Sequence, residues 1–529
     1  MPTTDAHPDL SLIRETTAGP VRGARCAPEA ASVIAWKGIP YAAPPTGDRR
    51  WRAPEPPAPW ADVRDCVAFG HAEPQPPMPL MPLGDGITMD EDCLVLNVWA
   101  DESATPASPR PVMVWIHGGA YIFGSASQRI YDGVRFAAGG EVVLVSLNYR
   151  LGAFGFLELG AFATPDCPFD GNLGLRDIIQ ALEWVRDNIA AFGGDPAQVT
   201  IFGQSAGGGL VTTLMTVPTA AGLFHRAIAE SSPASSVYAP ALQAEIATRF
   251  IEVLGMDGKP GDAASLRAVP ADRLVEASRT IFAEIPTSKP GVLPYSPTVD
   301  GELVPLHPVD AFRQGKALPV PLLIGTNHDE TKAFKRAKSP LVPISRAAIA
   351  EMLADMLATQ PDLVLPDDAE LDHAYAGFRP TTFGIGISRD LAFRLPTLWV
   401  AEGQSAIAPT WLYRFDFATP MLDLLGIGAT HSTELPYVWN NLDSNPKDIT
   451  FRLGGRREGE ALARRMHQRW RSFATSGTPD GDPGDVHVHW PAFGTTDRAT
   501  LRIDRQDHVV DDLDAALRAT WGDEVIAFS

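Results

Sequence analysis

Residues 199–214 read VTIFGQSAGGGLVTTL. Val199 to Gly203 is a short apolar run without alternation, the pattern of a strand covered on both faces. Gly203, Gln204, Ser205, Ala206 and Gly207 follow as GxSxG, and from Leu210 the sequence turns helical. A serine in a sharp strand-to-helix turn projects its hydroxyl from the carboxyl edge of a sheet, and the residues two places away on either side must then be small. At average glycine and serine usage a chain of this length shows GxSxG by chance roughly one time in five. The strand before it, the helix after it and the partners found elsewhere therefore decide the reading: Ser205 is the candidate nucleophile.

Working outward, Pro111 to His117 (PVMVWIH) and Glu141 to Tyr149 (EVVLVSLNY) are two further continuous apolar runs. Between the latter and Val199, Leu175, Ile178, Ile179, Leu182, Val185 and Ile189 recur at helical spacing, and Gly193-Gly194 before Asp195-Pro196 stops the helix. Buried strands alternating with helices predict an α/β fold with a mostly parallel sheet. Val320 to Gly325 and Trp411 to Phe417 read as additional strands, and Leu462, Met466, Trp470 and Phe473 trace the buried stripe of a late helix. Two intervening segments, about 238–318 and 339–409, carry short helical patterns and no strong strand. They are expected as insertions that either cap the sheet edge or enlarge the core. Five prolines and two methionines crowd Pro74 to Pro82, which predicts a surface loop whose Met and Leu side chains reach a cleft.

A serine that attacks an acyl carbon needs donors for the oxyanion it creates, and preorganised backbone N–H groups serve best. The strand Pro111 to His117 runs into Gly118-Gly119-Ala120-Tyr121, whose small residues allow close approach; Gly119, Ala120 and, after the nucleophile, Ala206 are the expected donors. His117 suits a role in orienting that loop. Serine also needs a neighbouring imidazole to take its proton and a carboxylate to fix that imidazole's tautomer.

Five segments carry a resemblance: WKGIPYAAPP (Trp36 to Pro45), EDCLVLNVW (Glu91 to Trp99), VWIHGGAY (Val114 to Tyr121), NYRLGAFGF (Asn148 to Phe156) and GQSAGG (Gly203 to Gly208). In this order the chain resembles the type-B carboxylesterase and cholinesterase family over nearly its whole length. The resemblance implies the α/β-hydrolase fold as one catalytic domain over residues 10–525, and hydrolysis of small-molecule carboxylic esters without metal or cofactor. It implies a Ser-Glu-His triad. GTNHDE (Gly325 to Glu330) matches the acid loop and GATHSTELPY (Gly428 to Tyr437) the histidine loop, giving Glu330 and His431; Ser231 in AIAESS matches a second serine near the triad. Asp329 as the carboxylate, and His328 or His467 as the imidazole, are the competing assignments. Related readings are the same triad acting on a carbamate, amide or polyester toxin, and a non-catalytic binding protein of this fold, against which the three intact residues speak.

Two departures matter. The family's first disulfide would join Cys93 to a cysteine near Glu73, which is absent; Cys66 is displaced by several residues, so no bond is expected. Choline-binding members place a tryptophan before the EDC segment, whereas no aromatic residue lies between Glu73 and Cys93. Without that π-face a quaternary ammonium loses its main attraction, and a cholinesterase is not expected.

Composition sets the outer bounds. With 44 Lys and Arg against 64 Asp and Glu the net charge is −20, which disfavours nucleic acid and anionic lipid as partners. The start, Met1 to Leu10, has neither a basic stretch nor an apolar run of signal length, and no run of membrane-spanning length follows. Cys26, Cys66, Cys93 and Cys167 show no CxxC spacing, so reduced thiols rather than zinc are expected. A cytoplasmic monomer or homodimer is the resulting expectation.

Overall fold

The computed structural model describes residues 9–527 apart from 28–29, 80, 260–261, 379–382, 481–487 and 523. An 11-stranded sheet forms the core. In chain order its strands are β1 (Ala24–Arg25), β2 (Val33–Pro40), β3 (Val95–Asp101), β4 (Arg110–Ile116), β5 (Val143–Leu147), β6 (Gly194–Gln204), β7 (Arg226–Glu230), β8 (Leu322–Asn327), β9 (Thr410–Phe415), β10 (Thr500–Ile503) and β11 (His508–Val510). Across the sheet they lie β11-β10-β9-β8-β7-β6-β4-β5-β3-β2-β1. The run from β5 through β4, β6, β7, β8 and β9 to β10 is parallel, and antiparallel pairs finish both sides. This is the mostly parallel α/β sheet expected from the alternation of buried strands and helices, and it agrees with the α/β-hydrolase fold that the resemblance implies.

Side chains of β4 alternate between two cores, as a period of two requires. Val112, Val114 and Ile116 point to one, where the crossover helix Leu173–Asn188 lays Leu175, Ile178, Leu182 and Val185. Met113 and Trp115 point to the other, where the helix Arg456–Ser476 buries Leu462, Met466, Trp470 and Phe473. Both faces are therefore dry, which is why these strands carry no polar alternation.

The two segments without strong strands contain the helices Pro240–Val253, Ala271–Ser288, Arg346–Thr359, Phe383–Arg389 and Leu395–Ser405. Phe250, Ile281, Met352 and Leu398 join the first core, while Phe282, Leu341, Val342 and Phe393 face a cavity at the carboxyl edge of the sheet. Each segment thus contributes residues both to this core and to the cavity wall. Met78 and Met81 of the proline-rich loop line that cavity too; Leu80 lies outside the described residues. So do residues 1–8 of the chain's start. Among the described residues no helix is long and apolar enough to cross a membrane, and no cluster of His, Cys, Asp and Glu could hold a metal ion.

Candidate active site

Ser205 sits between β6 and the helix Ala206–Leu214 with φ 59° and ψ −126°, a strained conformation for a residue with a side chain. The turn is held from both sides: its N–H donates to the Glu230 carbonyl (2.9 Å) and its carbonyl accepts from Gly209 N–H (2.8 Å). The small flanking residues are obligatory. A Cβ at Gly207 would overlap the carbonyl oxygen of Ile116, and one at Gly203 would lie 2.6 Å from the Gly207 carbonyl carbon.

Glu330 follows β8 and is fully buried. Its Oε1 accepts from the Ser231 hydroxyl (2.6 Å) and from Asn327 N–H (2.7 Å), and its Oε2 lies 2.7 Å from His431 Nδ1. The Glu330 carbonyl also accepts from His431 N–H at 3.2 Å, so the two loops are tied by main chain as well as side chain. Nδ1 facing a carboxylate carries the proton, which leaves Nε2 as the free base. Nε2 has the Gln204 amide nitrogen 3.4 Å away.

Ser205 and His431 open on one cavity of about 380 Å³, together with Gly119, Ala120 and Ala206. Ala206 opens its helix, so its N–H lies outside the intrahelical ladder. Gly119 adopts φ 127°, and a Cβ there would overlap the Phe123 carbonyl. The loop rests on His117, whose ring stacks on Tyr149 (centroids 4.6 Å apart) while Tyr149 donates its hydroxyl to the His117 carbonyl at 2.6 Å. Burial pushes the His117 imidazole down to about 4, so it stays neutral under the loop. Met78, Phe123, Phe282, Leu293, Phe334 and Phe393 supply apolar wall, and among the described residues no Asp, Glu, Lys or Arg lines the cavity.

The competing assignments lie elsewhere. Asp329 pairs with His328 Nδ1 (3.1 Å) and Lys332 Nζ (2.8 Å). His467 is buried on the helix Arg456–Ser476, its Nδ1 2.8 Å from the Val438 carbonyl, and burial pushes it down to about 4. The four cysteines are free thiols; Cys93 Sγ donates to the buried Glu73 carboxyl at 2.6 Å.

Four residues at the site escaped the reading of the sequence. Asn327 joins the loops, its Nδ2 donating to the Thr430 carbonyl (2.7 Å) and to the Glu434 carboxyl. Glu434 is fully buried three residues after His431; burial first, then the Glu330 charge, pushes it up to about 7. Phe393 and Phe334 pack on the His431 ring, with centroids 4.9 and 5.3 Å away. The GTNHDE and GATHSTE loops contained the signal for the first two, namely polar residues in segments already singled out; no local pattern marks the phenyl rings.

Known proteins are similar to this chain in sequence and in fold. The profile of the Carboxylesterase family matches residues 11–521. The para-nitrobenzyl esterase of Bacillus subtilis is 38% identical over 492 residues, covering 91% of this chain and 94% of its own length. The phenmedipham hydrolase of Pseudarthrobacter oxydans is 33% identical, covering 93% and 94%. A crystal structure of a Geobacillus stearothermophilus carboxylesterase superposes with a TM-score of 0.81 at 36% identity, covering 96% of this chain and 100% of its own. The chain belongs to the carboxylesterase family and is a carboxylic ester hydrolase of the α/β-hydrolase fold.

Proposed function

We propose that Ser205, His431 and Glu330 are the catalytic triad of this esterase and that Gly119, Ala120 and Ala206 form its oxyanion hole. One observation carries the assignment: His431 holds its Nδ1 2.7 Å from the buried Glu330 carboxylate while its ring opens on the same cavity as Ser205. In the acylation step His431 Nε2 takes the Ser205 proton as Oγ attacks the ester carbonyl, and the three N–H groups receive the developing oxyanion. Nε2 then returns the proton to the departing alcohol. Water, deprotonated by the same nitrogen, releases the acid and regenerates Ser205. The Glu330 carboxylate stabilises the imidazolium formed in each half, and Ser231 holds that carboxylate in place.

The apolar, uncharged lining favours neutral esters with hydrophobic groups on either side of the carbonyl. The domain over residues 10–525, with its helical segments capping the site, acts in this reading as a single catalytic unit, a monomer or homodimer in the cytoplasm. The free cysteines are in keeping with that compartment. The test is hydrolysis of p-nitrophenyl esters of increasing acyl length by the wild type and Ser205→Ala. Loss of turnover in the variant, with a chain-length optimum in the wild type, supports the assignment; equal turnover by both proteins refutes it.

A further inference from the structure

The imidazole of a triad has two tasks that pull apart. It must hold Nδ1 on its carboxylate and yet keep Nε2 aimed between a serine oxygen and a leaving-group oxygen. A single hydrogen bond at Nδ1 acts as a hinge and leaves the ring free to tilt, so something must press on its face. Phe393 does so: its ring lies 4.9 Å from the His431 ring, tilted by 40°, and its side chain is only 6% exposed. Phe334 also touches the imidazole, but it is half-buried on the five-residue helix Lys332–Arg336.

Phe393 is delivered by an unusual element. Between the helices Phe383–Arg389 and Leu395–Ser405 the chain makes a π-helical turn, Asp390–Arg394, closed by Leu395 N–H donating to the Asp390 carbonyl five residues back. Pro396 supplies the cause. It has no N–H to give the Ala392 carbonyl, and its ring collides with that carbonyl in a regular α-helix. Widening the preceding turn relieves the collision and inserts one residue into the helical register. That insertion turns the side chains before it by about 100° relative to those after it. The turn is pinned: the Asp390 carboxylate accepts from Tyr375 Oη (2.8 Å) and Arg389 Nε (2.7 Å), and Arg394 donates to the Asn327 carbonyl (3.4 Å) at the end of β8. Phe393 is thus fixed to the same strand end that presents the acid loop.

We infer that Phe393, set by the Pro396-dependent π-turn, is a positioning residue that holds the His431 imidazole at the angle catalysis needs. The inference rests on His431 being the general base. It extends the triad to a residue that touches neither proton nor ester, and it gives the rare turn a use.

The test uses p-nitrophenyl acetate, whose short acyl group makes few contacts with the apolar wall. Phe393→Leu keeps apolar volume and removes the ring; kcat is expected to fall about tenfold or more while KM stays within about twofold, since misplacement of a reacting group alone can cost ~100-fold. Phe393→Tyr restores the ring and the rate. The downfield proton resonance of His431 Nδ1–H broadens in Phe393→Leu and recovers in Phe393→Tyr. Wild-type kcat in Phe393→Leu, a loss confined to KM, or a loss that Tyr does not rescue overturns the inference. Should Phe393→Leu fail to fold, Pro396→Ala decides, because it permits a regular helix without touching the imidazole: reduced kcat in a folded variant supports the inference and unchanged kcat overturns it. His431→Gln separates the two readings. An active His431→Gln enzyme removes the general base itself, whereas an inactive one beside a wild-type-like Phe393→Leu removes only the role of Phe393.

Discussion

The Ser231 hydroxyl donates to Glu330 Oε1 at 2.6 Å, and neither side chain reaches solvent. Ser231 follows β7 directly and has φ 48°, a backbone conformation that points its hydroxyl across to the neighbouring strand end. Replacing it by alanine leaves Glu330 with Asn327 N–H and His431 as donors. A hydrogen bond to a charged group contributes about 1.5–3 kcal/mol. Ser231→Ala is therefore expected to lower kcat by about tenfold to a hundredfold without abolishing it, which steady-state kinetics on a p-nitrophenyl ester will show.

Glu434 makes the second prediction, one of stability. Its carboxyl is pushed up to about 7 in the folded protein, burial being the largest cause and the Glu330 charge the next. In the unfolded chain a glutamate titrates near 4.3. Between these values the unfolded chain has released the proton and the folded protein has kept it, so the wild type loses stability from this group as pH rises. Below about 4 both states are protonated and the group contributes no difference; above about 7 both are ionised and the loss levels off. Glu434→Gln keeps an acceptor for Asn327 and cannot ionise. Its melting temperature relative to the wild type is expected to climb from pH 4.5 to 7 and then flatten, by thermal denaturation across that range. A difference independent of pH would show that Glu434 titrates alike in both states.

The elbow glycines give a sharper outcome. A Cβ at Gly207 would strike the carbonyl of Ile116, the last residue of β4, and lie 2.8 Å from the His117 carbonyl oxygen. Neither oxygen belongs to a flexible side chain, so the helix Ala206–Leu214 would have to move away from the sheet and carry Ala206 N–H with it. Gly207→Ala is expected to lose at least about 10²-fold in kcat, the effect of removing one oxyanion donor, or to fail to fold. Gly494→Ala, where a Cβ meets nothing within 4 Å, should match the wild type in both yield and rate.

How far the sequence disclosed this site depends on which residues depend on neighbours in the chain and which on neighbours in space. The buried strands were legible because both faces of the sheet are covered, so β4, β5 and the end of β6 appear as unbroken apolar runs. The short edge strands β1 and β11 carry too few residues to show a period. Ser205 and Glu330 sit just past strand ends and His431 just before the helix Leu435–Val438, all in segments that keep local signatures, and so could be named as candidates. Gln204 was named only as part of the motif; its approach to His431 joins residues 227 positions apart. Phe393 reaches the imidazole through a turn whose cause, Pro396, looks in the sequence like any helix-starting proline. Glu73 and Cys93 illustrate a substitution in space: a thiol donating to a buried carboxyl occupies a place where an absent cysteine could only be noted as missing.

The final prediction concerns charge. The protein carries a net charge of −20, which by itself would attract cations to its surface. The cavity that holds Ser205 is different: among the described residues no carboxylate lines it. Glu330 and Glu434 lie behind His431, fully buried, and do not face the substrate. A quaternary ammonium entering here would shed water without gaining a counter-ion, and an uncompensated buried charge costs several kcal/mol. Aromatic rings such as Phe282 and Phe334 offset only part of this, about 0.5–2 kcal/mol for a cation over a ring face. The neutral 3,3-dimethylbutyl thioacetate, which has the shape of acetylthiocholine without its charge, should therefore be hydrolysed with a kcat/KM at least about tenfold higher than acetylthiocholine, a difference equal to 1.4 kcal/mol. The gap should persist at high salt, because screening weakens surface attraction and leaves the buried cavity unchanged. Equal rates, or a preference for the cation that salt does not remove, would mean that an anionic group outside the described wall reaches the bound substrate.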